Sequence, residues 1–133
     1  MTRGLVGIPT LKGGRDERGA DCWGIVCIAY RNAGIDLPTY GDISNDDLLA
    51  VARAMTGESD RDPWYEVNSE DLQPLDVVLM SKPGSRVVTH VGVMVNDREF
   101  VHCFGRADSV KVPLSHDYTA QTIVGFRRHK ELV

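Results

Sequence analysis

The sequence predicts an α+β domain in which a buried N-terminal helix packs on a mainly antiparallel sheet. Three observations support this fold class: an apolar helix is predicted early in the chain, strands are predicted throughout the second half, and the two patterns do not alternate. Helices followed by strands favour separate layers over the repeated strand–helix units of a parallel sheet. Because 133 residues is an ordinary length for one domain, we expect residues 1–133 to form a single unit.

The first predicted helix runs from Cys22 to Ala33 and is apolar on nearly all sides, as expected of a buried helix. Asp21 is a favoured N-cap residue, and Gly34 is a favoured residue just beyond a helix C-terminus. Residues 1–20 are interrupted repeatedly by glycine and proline, so they are predicted to be loop. Regular structure is therefore expected to begin at Asp21.

A second helix is predicted between a capping Ser44 and a terminating Gly57. Residues 57–73 are mostly polar apart from the neighbouring Trp64 and Tyr65. We expect this stretch to be a surface loop that the two aromatic rings anchor.

After Pro74 the sequence changes to short apolar runs separated by Gly, Pro, Asn and Asp, which indicates strands. The predicted strands are Asp76–Met80, Val87–Val95, Glu99–Phe104, Ser109–Val112 and Thr122–Arg127. Because these predicted strands follow the predicted helices in the chain, they favour a mainly antiparallel sheet with the buried helix on one face.

Composition and charge exclude several classes of function. Hydrophobic residues make up 42% and charged residues 26%, as in folded globular domains. With 15 Lys and Arg against 19 Asp and Glu, the net charge of -4 argues against a nucleic-acid partner. No stretch approaches the roughly 20 apolar residues of a membrane span. The N-terminus also lacks a signal peptide's apolar region, so we expect synthesis in the cytoplasm.

Cys22 is the candidate nucleophile. The chain has 3 cysteines, too few for a disulfide framework, so they are interpreted as reduced thiols. Cys22 falls at the first position of the predicted helix, where unpaired N–H groups and the helix dipole favour a thiolate, so a lowered pKa is expected. The alternative is that Cys22 is a small buried residue, as Cys27 and Cys103 are predicted to be.

Two histidines are predicted to lie on one face of a strand hairpin. His90 alternates with Gly92 in one strand, and His102 lies in the next. If the turn places Val95 opposite Glu99, Gly92 faces His102 and His90 is a diagonal neighbour about 7–8 Å away. A two-residue turn would send the histidines to opposite faces. Purely structural histidines are the alternative.

Together Cys22, His90 and His102 supply the parts of a thiol hydrolase: a nucleophile, a general base and a group that orients the base. The backbone N–H at the helix start is a candidate oxyanion donor. This chemistry requires no metal and no other cofactor. A zinc site formed by Cys22, Cys27, His90 and His102 is disfavoured, because the two cysteines are five residues apart on a helix and point about 140° apart.

Five short motifs extend over nearly the whole chain in a fixed order. They are Gly13-Gly14, Gly19-Ala20-Asp21-Cys22-Trp23-Gly24-Ile25-Val26, Leu75-Asp76-Val77-Val78-Leu79-Met80, Thr89-His90-Val91-Gly92-Val93 and Phe100-Val101-His102. In this order and spacing they resemble the NlpC-type cell-wall cysteine peptidases, the NlpC/P60 family. The resemblance implies a compact papain-like fold, with Cys22 as nucleophile, His90 as base and His102 as the third polar member.

The resemblance also implies an activity, hydrolysis of amide bonds in peptidoglycan stem peptides by a cysteine endopeptidase. The expected target is the γ-D-glutamyl bond to a diamino acid. The residues expected near the substrate are Thr10, Asp21, Trp23 and Gly92. Two positions depart from the family pattern: Thr10 stands where many members have a tyrosine, and Leu75-Asp76 replaces the usual Gly-Asp.

Finer features resemble the branch of the family found in the tail tips of tailed phages and gene-transfer particles. They are Asp21-Cys22-Trp23-Gly24, Leu37-Pro38 and Val124-Gly125-Phe126-Arg127. This branch implies a virion component that joins other tail-tip or hub proteins and opens the cell wall during genome delivery. Two alternatives remain open: a structural tail-tip subunit with little or no hydrolase activity, and an injected antibacterial amidase toxin.

Overall fold

The computed structural model of the chain describes residues 4–37, 63–103 and 107–132. The helices and strands in these ranges are β1 (Arg15–Asp16), β2 (Gly19–Ala20), α1 (Cys22–Asn32), β3 (Trp64–Val67), β4 (Val77–Met80), β5 (His90–Met94), β6 (Glu99–His102), β7 (Val110–Pro113), α2 (Asp117–Ala120) and β8 (Ile123–His129). The helix predicted from Ser44 to Gly57 lies outside the described residues.

A six-stranded sheet forms the main layer of the described fold. Its strand order is β3-β8-β4-β5-β6-β7, and every neighbouring pair is antiparallel. The predicted mainly antiparallel sheet is therefore confirmed. Each strand predicted after Pro74 is present with shifted ends; the largest differences are that Val87–Thr89 precede β5 and that β8 continues to His129.

Strand β3 corrects the prediction of a surface loop over residues 57–73. Trp64 and Val67 are buried while Tyr65 and Glu66 are exposed, which does not give the strict alternation that signals a strand. The segment is extended because it pairs with β8, a partner far along the chain. The short β1–β2 pair and α2 were likewise not predicted, since a few residues carry no period.

Helix α1 is the buried helix that the sequence predicts. It contains an unbroken buried run from Trp23 to Tyr30. The Asp21 side chain accepts a hydrogen bond from the Gly24 N–H at 2.8 Å, which confirms the predicted N-cap. At the other end Gly34 has a φ of 84° and closes the helix, as predicted.

The sheet has a buried cluster on each face. The helix-side cluster joins α1 to inward side chains of the strands, including Val77, Leu79, Val91, Val93 and Val101. The far-side cluster contains Val67, Leu72, Val78, Met80, Met94, Phe100 and Phe126. Because side chains alternate along a strand, His90 and Gly92 belong with Met94 on the far side.

Residues 4–20, here called the N-terminal segment, are fastened to the start of β7 by Ser109. The Ser109 hydroxyl accepts from the Ile8 N–H at 2.9 Å and donates to the Leu5 carbonyl. The Ser109 backbone also bonds to Gly7 and Ile8, at 2.9 and 2.8 Å. These bonds hold a segment of little regular structure in a fixed position.

Motif glycines let the N-terminal segment lie directly against α1. A Cβ atom on Gly24 would be 2.2 Å from the Gly14 carbonyl oxygen. A Cβ on Gly14 would be 2.2 Å from the Gly19 carbonyl oxygen. Both distances are shorter than real contacts, so side chains at these positions would push the segment away from the start of the helix.

The turn at Leu75-Asp76 is buried, and its backbone conformation is unusual. Leu75 is fully buried and has a φ of 79°, a conformation that costs a non-glycine residue about 1–2 kcal/mol. Its carbonyl accepts a hydrogen bond from the Tyr30 hydroxyl at 2.5 Å. Asp76 is also fully buried and pairs with Arg128 through two bonds of 2.8 Å. The turn thus fixes α1, β4 and β8 relative to one another.

Candidate active site

The β5–β6 hairpin has the register that brings the two histidines together. Val93 pairs with Val101 and Met94 with Phe100, and the Val95 N–H donates to the Glu99 carbonyl at 3.0 Å. This is the predicted turn with Val95 opposite Glu99. Extending the same register by one residue places Gly92 opposite His102, as predicted.

His90 and His102 form a hydrogen-bonded pair. His90 Nε2 lies 2.8 Å from His102 Nδ1, and the ring centroids are 5.0 Å apart. The His102 ring also packs on Phe100 at 5.1 Å. A Cβ on Gly92 would lie 2.8 Å from Phe100 Cδ2 and 3.3 Å from His102 Cβ. Gly92 therefore provides the space in which the two imidazoles meet.

Burial keeps both imidazoles neutral near neutral pH. Desolvation, with a smaller contribution from the neighbouring His102, lowers the pKa of His90 to about 3. Desolvation also lowers the pKa of His102. A neutral pair with one N–H between the rings can accept a proton at a ring nitrogen outside the shared bond.

Cys22 is the first residue of α1, is partly buried and packs against the helix-side cluster. Burial raises the pKa of its thiol to about 11, and the Asp21 charge acts in the same direction. Backbone N–H groups of Val91 and Trp23 favour the thiolate but are outweighed. The predicted lowering of the Cys22 pKa is therefore wrong, because the helix start is desolvated. Cys22 rests as a thiol.

The other two cysteines are more deeply buried. Cys27 is 2% exposed and Cys103 is 5% exposed, whereas Cys22 is partly exposed. Burial raises the pKa of Cys27 to about 12 and raises the pKa of Cys103 as well. Accessibility distinguishes Cys22 from the other two.

Asp21 holds the loop before the helix in place. Its Oδ1 accepts from the Gly24 N–H and from Arg15 Nη1, both at 2.8 Å, and its Oδ2 accepts from the Gly13 N–H at 3.0 Å. Arg15 also donates to the Gly14 carbonyl at 2.7 Å. The Arg15–Asp21 pair was not predicted, because a charge in a glycine-rich loop gives no signal of its partner.

The other residues expected near the substrate have different surroundings. Thr10 is exposed, and its hydroxyl donates to the Ala107 carbonyl at 2.5 Å. Trp23 is 1% exposed and belongs to the helix-side cluster. Thr10 is therefore exposed, whereas Asp21 is partly buried and both Trp23 and Gly92 are buried.

Two further properties concern the described ranges only. In residues 4–37, 63–103 and 107–132, no group of three or more His, Cys, Asp or Glu side chains is arranged to hold a metal ion. None of the helices in those ranges is long and apolar enough to cross a membrane.

A capped buried helix that starts with cysteine, packed on an antiparallel sheet that carries paired histidines, defines the papain-like class of fold. The NlpC/P60 family model matches residues 8–128. The chain belongs to the NlpC/P60 family, whose members are known as peptidoglycan hydrolases.

Solved structures of the family share this fold. A Staphylococcus aureus protein described as similar to lipoprotein, NLP/P60 family, is 24% identical with a TM-score of 0.65, over 96% of this chain and 38% of that chain. A Bacillus cereus NlpC/P60 family protein is 21% identical with a TM-score of 0.68, over 97% and 40%. The NlpC/p60 domain of peptidoglycan hydrolase SagA is 16% identical with a TM-score of 0.58, over 95% and 90%.

At these identities the likeness concerns the fold. The chain spans less than half the length of the Staphylococcus aureus and Bacillus cereus chains but most of the SagA domain. No match is found among curated proteins.

Proposed function

We propose that this chain is a cysteine endopeptidase that hydrolyses amide bonds in peptidoglycan stem peptides, with Cys22 as nucleophile, His90 as general base and His102 as the residue that orients the base. The observation that carries the proposal is the 2.8 Å hydrogen bond between His90 Nε2 and His102 Nδ1. This bond supports one defined tautomer of the His90 imidazole, and a general base needs a fixed tautomer to present the correct ring nitrogen.

The proposed reaction starts from neutral groups. If His90 donates its Nε2–H to His102, its Nδ1 can accept the Cys22 proton as the sulfur attacks the carbonyl carbon. Burial disfavours a resting ion pair, so proton transfer accompanies the attack. The backbone N–H of Cys22 stabilises the oxyanion. Collapse breaks the C–N bond, and the amine leaves with the proton from His90. Water then hydrolyses the thioester and regenerates the thiol.

The proposed substrate bond is the γ-D-glutamyl bond to a diamino acid of the stem peptide. Membership of the NlpC/P60 family supports peptidoglycan as the substrate class, as does structural similarity to a domain of a protein described as a peptidoglycan hydrolase. No cofactor enters the proposed chemistry.

The proposed activity is tested by the release of new amine groups from purified peptidoglycan. We expect release by the wild type and none above background by Cys22→Ala. Cys27→Ala is the matched control, because Cys27 is a buried cysteine of the same helix and enters no proposed step. Equal release by wild type and Cys22→Ala would reject Cys22 as nucleophile.

We also propose a biological setting, a tail-tip component of a phage or phage-like particle, made in the cytoplasm and assembled with other tail-tip or hub proteins. Its support is the sequence resemblance of Asp21-Cys22-Trp23-Gly24, Leu37-Pro38 and Val124-Gly125-Phe126-Arg127 to that branch. Mass spectrometry of purified particles tests it. Peptides of this chain should copurify with tail proteins, and their absence from intact particles would reject the setting without touching the activity.

A second candidate function is a structural tail-tip subunit with the same fold and little or no hydrolase activity. The observation that favours it is Thr10, whose hydroxyl is bonded to the Ala107 carbonyl at 2.5 Å. If wild type and Cys22→Ala are both silent on peptidoglycan while particles still assemble, this second function replaces the first.

A further inference from the structure

Residues 81–89, here called the β4–β5 loop, lie beside the candidate general base. Met80, the last residue of β4, is the register partner of His90, the first residue of β5. The Thr89 N–H also donates to the Met80 carbonyl at 2.9 Å, so the two ends of the loop are held together. The loop therefore begins and ends at the edge of the candidate site.

Internal hydrogen bonds give the β4–β5 loop a defined shape. The Ser81 hydroxyl donates to the Ser85 carbonyl at 2.6 Å. The Ser85 N–H donates to the Lys82 carbonyl at 3.1 Å, and the Ser85 hydroxyl accepts from the Val87 N–H at 3.1 Å. Val88 anchors the loop, because it is buried in the helix-side cluster. The loop thus presents its exposed side chains from a backbone that is held in place.

The charge of the β4–β5 loop is entirely positive. Its sequence includes Lys82 and Arg86, both exposed, and contains no Asp or Glu. Among the residues that the structure describes, neither of these cations forms an ion pair. The whole chain has a net charge of -4, so the loop is a local positive region on an acidic protein.

The N-terminal segment, on the other side of Cys22 in the chain, does not offer the same excess of positive charge. Arg15 is paired with Asp21 at 2.8 Å. Residues 12–18 otherwise carry two exposed cations and two exposed carboxylates, so their charges balance. The β4–β5 loop is therefore the better candidate for binding an anion next to His90.

The bond that we propose as substrate has a free carboxylate close to the reacting carbonyl. A γ-glutamyl bond uses the side-chain carboxyl of the glutamyl residue, so the α-carboxylate of that residue stays free. This group is ionised at neutral pH and is separated from the reacting carbonyl by only three carbon atoms. An acidic protein repels such a substrate unless positive charge lies at the site.

We propose that the β4–β5 loop binds free carboxylates of the stem peptide through Lys82 and Arg86. The choice of ligand rests on the proposed function. An arginine guanidinium can hold a carboxylate with two parallel hydrogen bonds, and a lysine attracts it as a point charge. These contacts form in the bound substrate and persist during the reaction, so they lower KM and leave kcat nearly unchanged.

The test measures how Cys22→Ala protein, which binds without cleaving, sediments with peptidoglycan that has been stripped of attached polymers. Adding Lys82→Gln and Arg86→Gln should raise the half-saturating concentration about fivefold at low salt, and about 0.5 M salt should remove most of the difference. The matched control adds Arg98→Gln and Lys130→Gln, an exposed arginine and an exposed lysine at the opposite end of the sheet. The control should stay within about twofold of the Cys22→Ala parent.

Peptidoglycan whose carboxylates have been converted to amides identifies the bound group. Binding of the parent protein to this material should weaken, and the two loop substitutions should then add less than about twofold. An equal loss in the loop and control variants, or no loss in the loop variant, would overturn the proposal. So would a loop effect that appears only with peptidoglycan that retains phosphate-rich wall polymers, since phosphate would then be the ligand.

Amine release by protein with an intact Cys22 separates this proposal from the proposed function. Lys82→Gln with Arg86→Gln should raise KM about fivefold and leave kcat within about twofold. If the wild type releases no amines but the loop-dependent binding is observed, the carboxylate site stands and the hydrolase function fails. If the wild type cleaves and the loop substitutions change neither binding nor KM, the carboxylate site alone fails.

Discussion

At the scale of residues, the positions of Cys22, His90 and His102 follow from local sequence signals, whereas the protonation state of Cys22 follows from its burial. The sequence predicts that Cys22 starts a helix and that His90 lies diagonal to His102, and the structure confirms both positions. The sequence does not give the sign of the Cys22 pKa shift, because a helix N-terminus lowers a thiol pKa only when desolvation does not outweigh it. Burial depth is a property of the packed molecule, so this error could not be corrected from the sequence.

Cys22 is expected to be the fastest-labelled cysteine despite its raised pKa, because it is partly exposed while Cys27 and Cys103 are buried. Its alkylation rate should rise about tenfold for each pH unit from pH 8 toward its pKa of about 11. Peptide mass spectrometry after timed iodoacetamide treatment measures each site. Equal, slow labelling of all three thiols would contradict the accessibility argument.

His102→Ala should lower turnover of a peptidoglycan fragment by about tenfold to a hundredfold, because His90 loses the partner that fixes its tautomer. The free energy of unfolding should change far less, since His102 is only partly buried. His102→Asn keeps a side chain that can accept the His90 N–H and should recover part of kcat. Parallel losses of turnover and stability, with no recovery in His102→Asn, would mark His102 as structural.

At the scale of elements, local signals predict helix ends and hairpins well and isolated strands poorly. Asp21 and Gly34 bound α1 as predicted, because caps are local chemistry. The β5–β6 register follows from a short turn. Strand β3 was missed because its partner β8 follows many residues later, and nothing local identifies that partner.

The turn at Leu75 gives a prediction about backbone strain. Leu75→Ala and Leu75→Gly both remove a buried side chain and should each cost about 2–5 kcal/mol. Because φ at this position is 79°, the glycine variant should be more stable than the alanine variant by about 1 kcal/mol, as measured by urea unfolding.

Val77 provides the control for that comparison, since it is a buried β4 residue outside the positive-φ set. There the order should reverse, with Val77→Ala more stable than Val77→Gly by about 1 kcal/mol. If alanine were the more stable replacement at both positions, the strain assigned to Leu75 would be wrong.

At the scale of the whole molecule, the site lies where separate layers meet. The N-terminal segment is held by Ser109 and packs on α1 through Gly14 and Gly24, which positions the loop before Cys22. The histidines come from the far side of the sheet and the thiol from the helix side. The candidate site therefore depends on how the N-terminal segment, α1 and the sheet are assembled together.

This burial makes stability depend on pH. The folded-state pKa of His90, about 3, lies below the ordinary value of 6.5, and burial also lowers the pKa values of His102 and His129. A base with a lowered folded-state pKa binds protons more readily when unfolded, so acid favours unfolding. The free energy of unfolding should fall by about 2 kcal/mol from His90 alone between pH 7 and pH 5.

Urea unfolding at several pH values measures this dependence. His90→Gln should show a smaller loss between the same two pH values, because the group that takes up the proton on unfolding is gone. If the free energy of unfolding falls as much in His90→Gln as in the wild type between pH 7 and pH 5, His90 is not the source of this pH dependence.

By itself the sequence determined the α+β class, the capped helix that starts at Cys22, the alternation that puts His90 and Gly92 on one strand face, and the motifs of the NlpC/P60 family. These features depend on local chemistry: caps, alternation, turn length and residue spacing. Only the tertiary structure decided that β3 joins the sheet, that Asp21 is held by Arg15, that Leu75 occupies a strained turn, and that burial raises the pKa of the Cys22 thiol. Each of these depends on which distant segments meet and how much water they exclude, and that is set by packing of the whole chain.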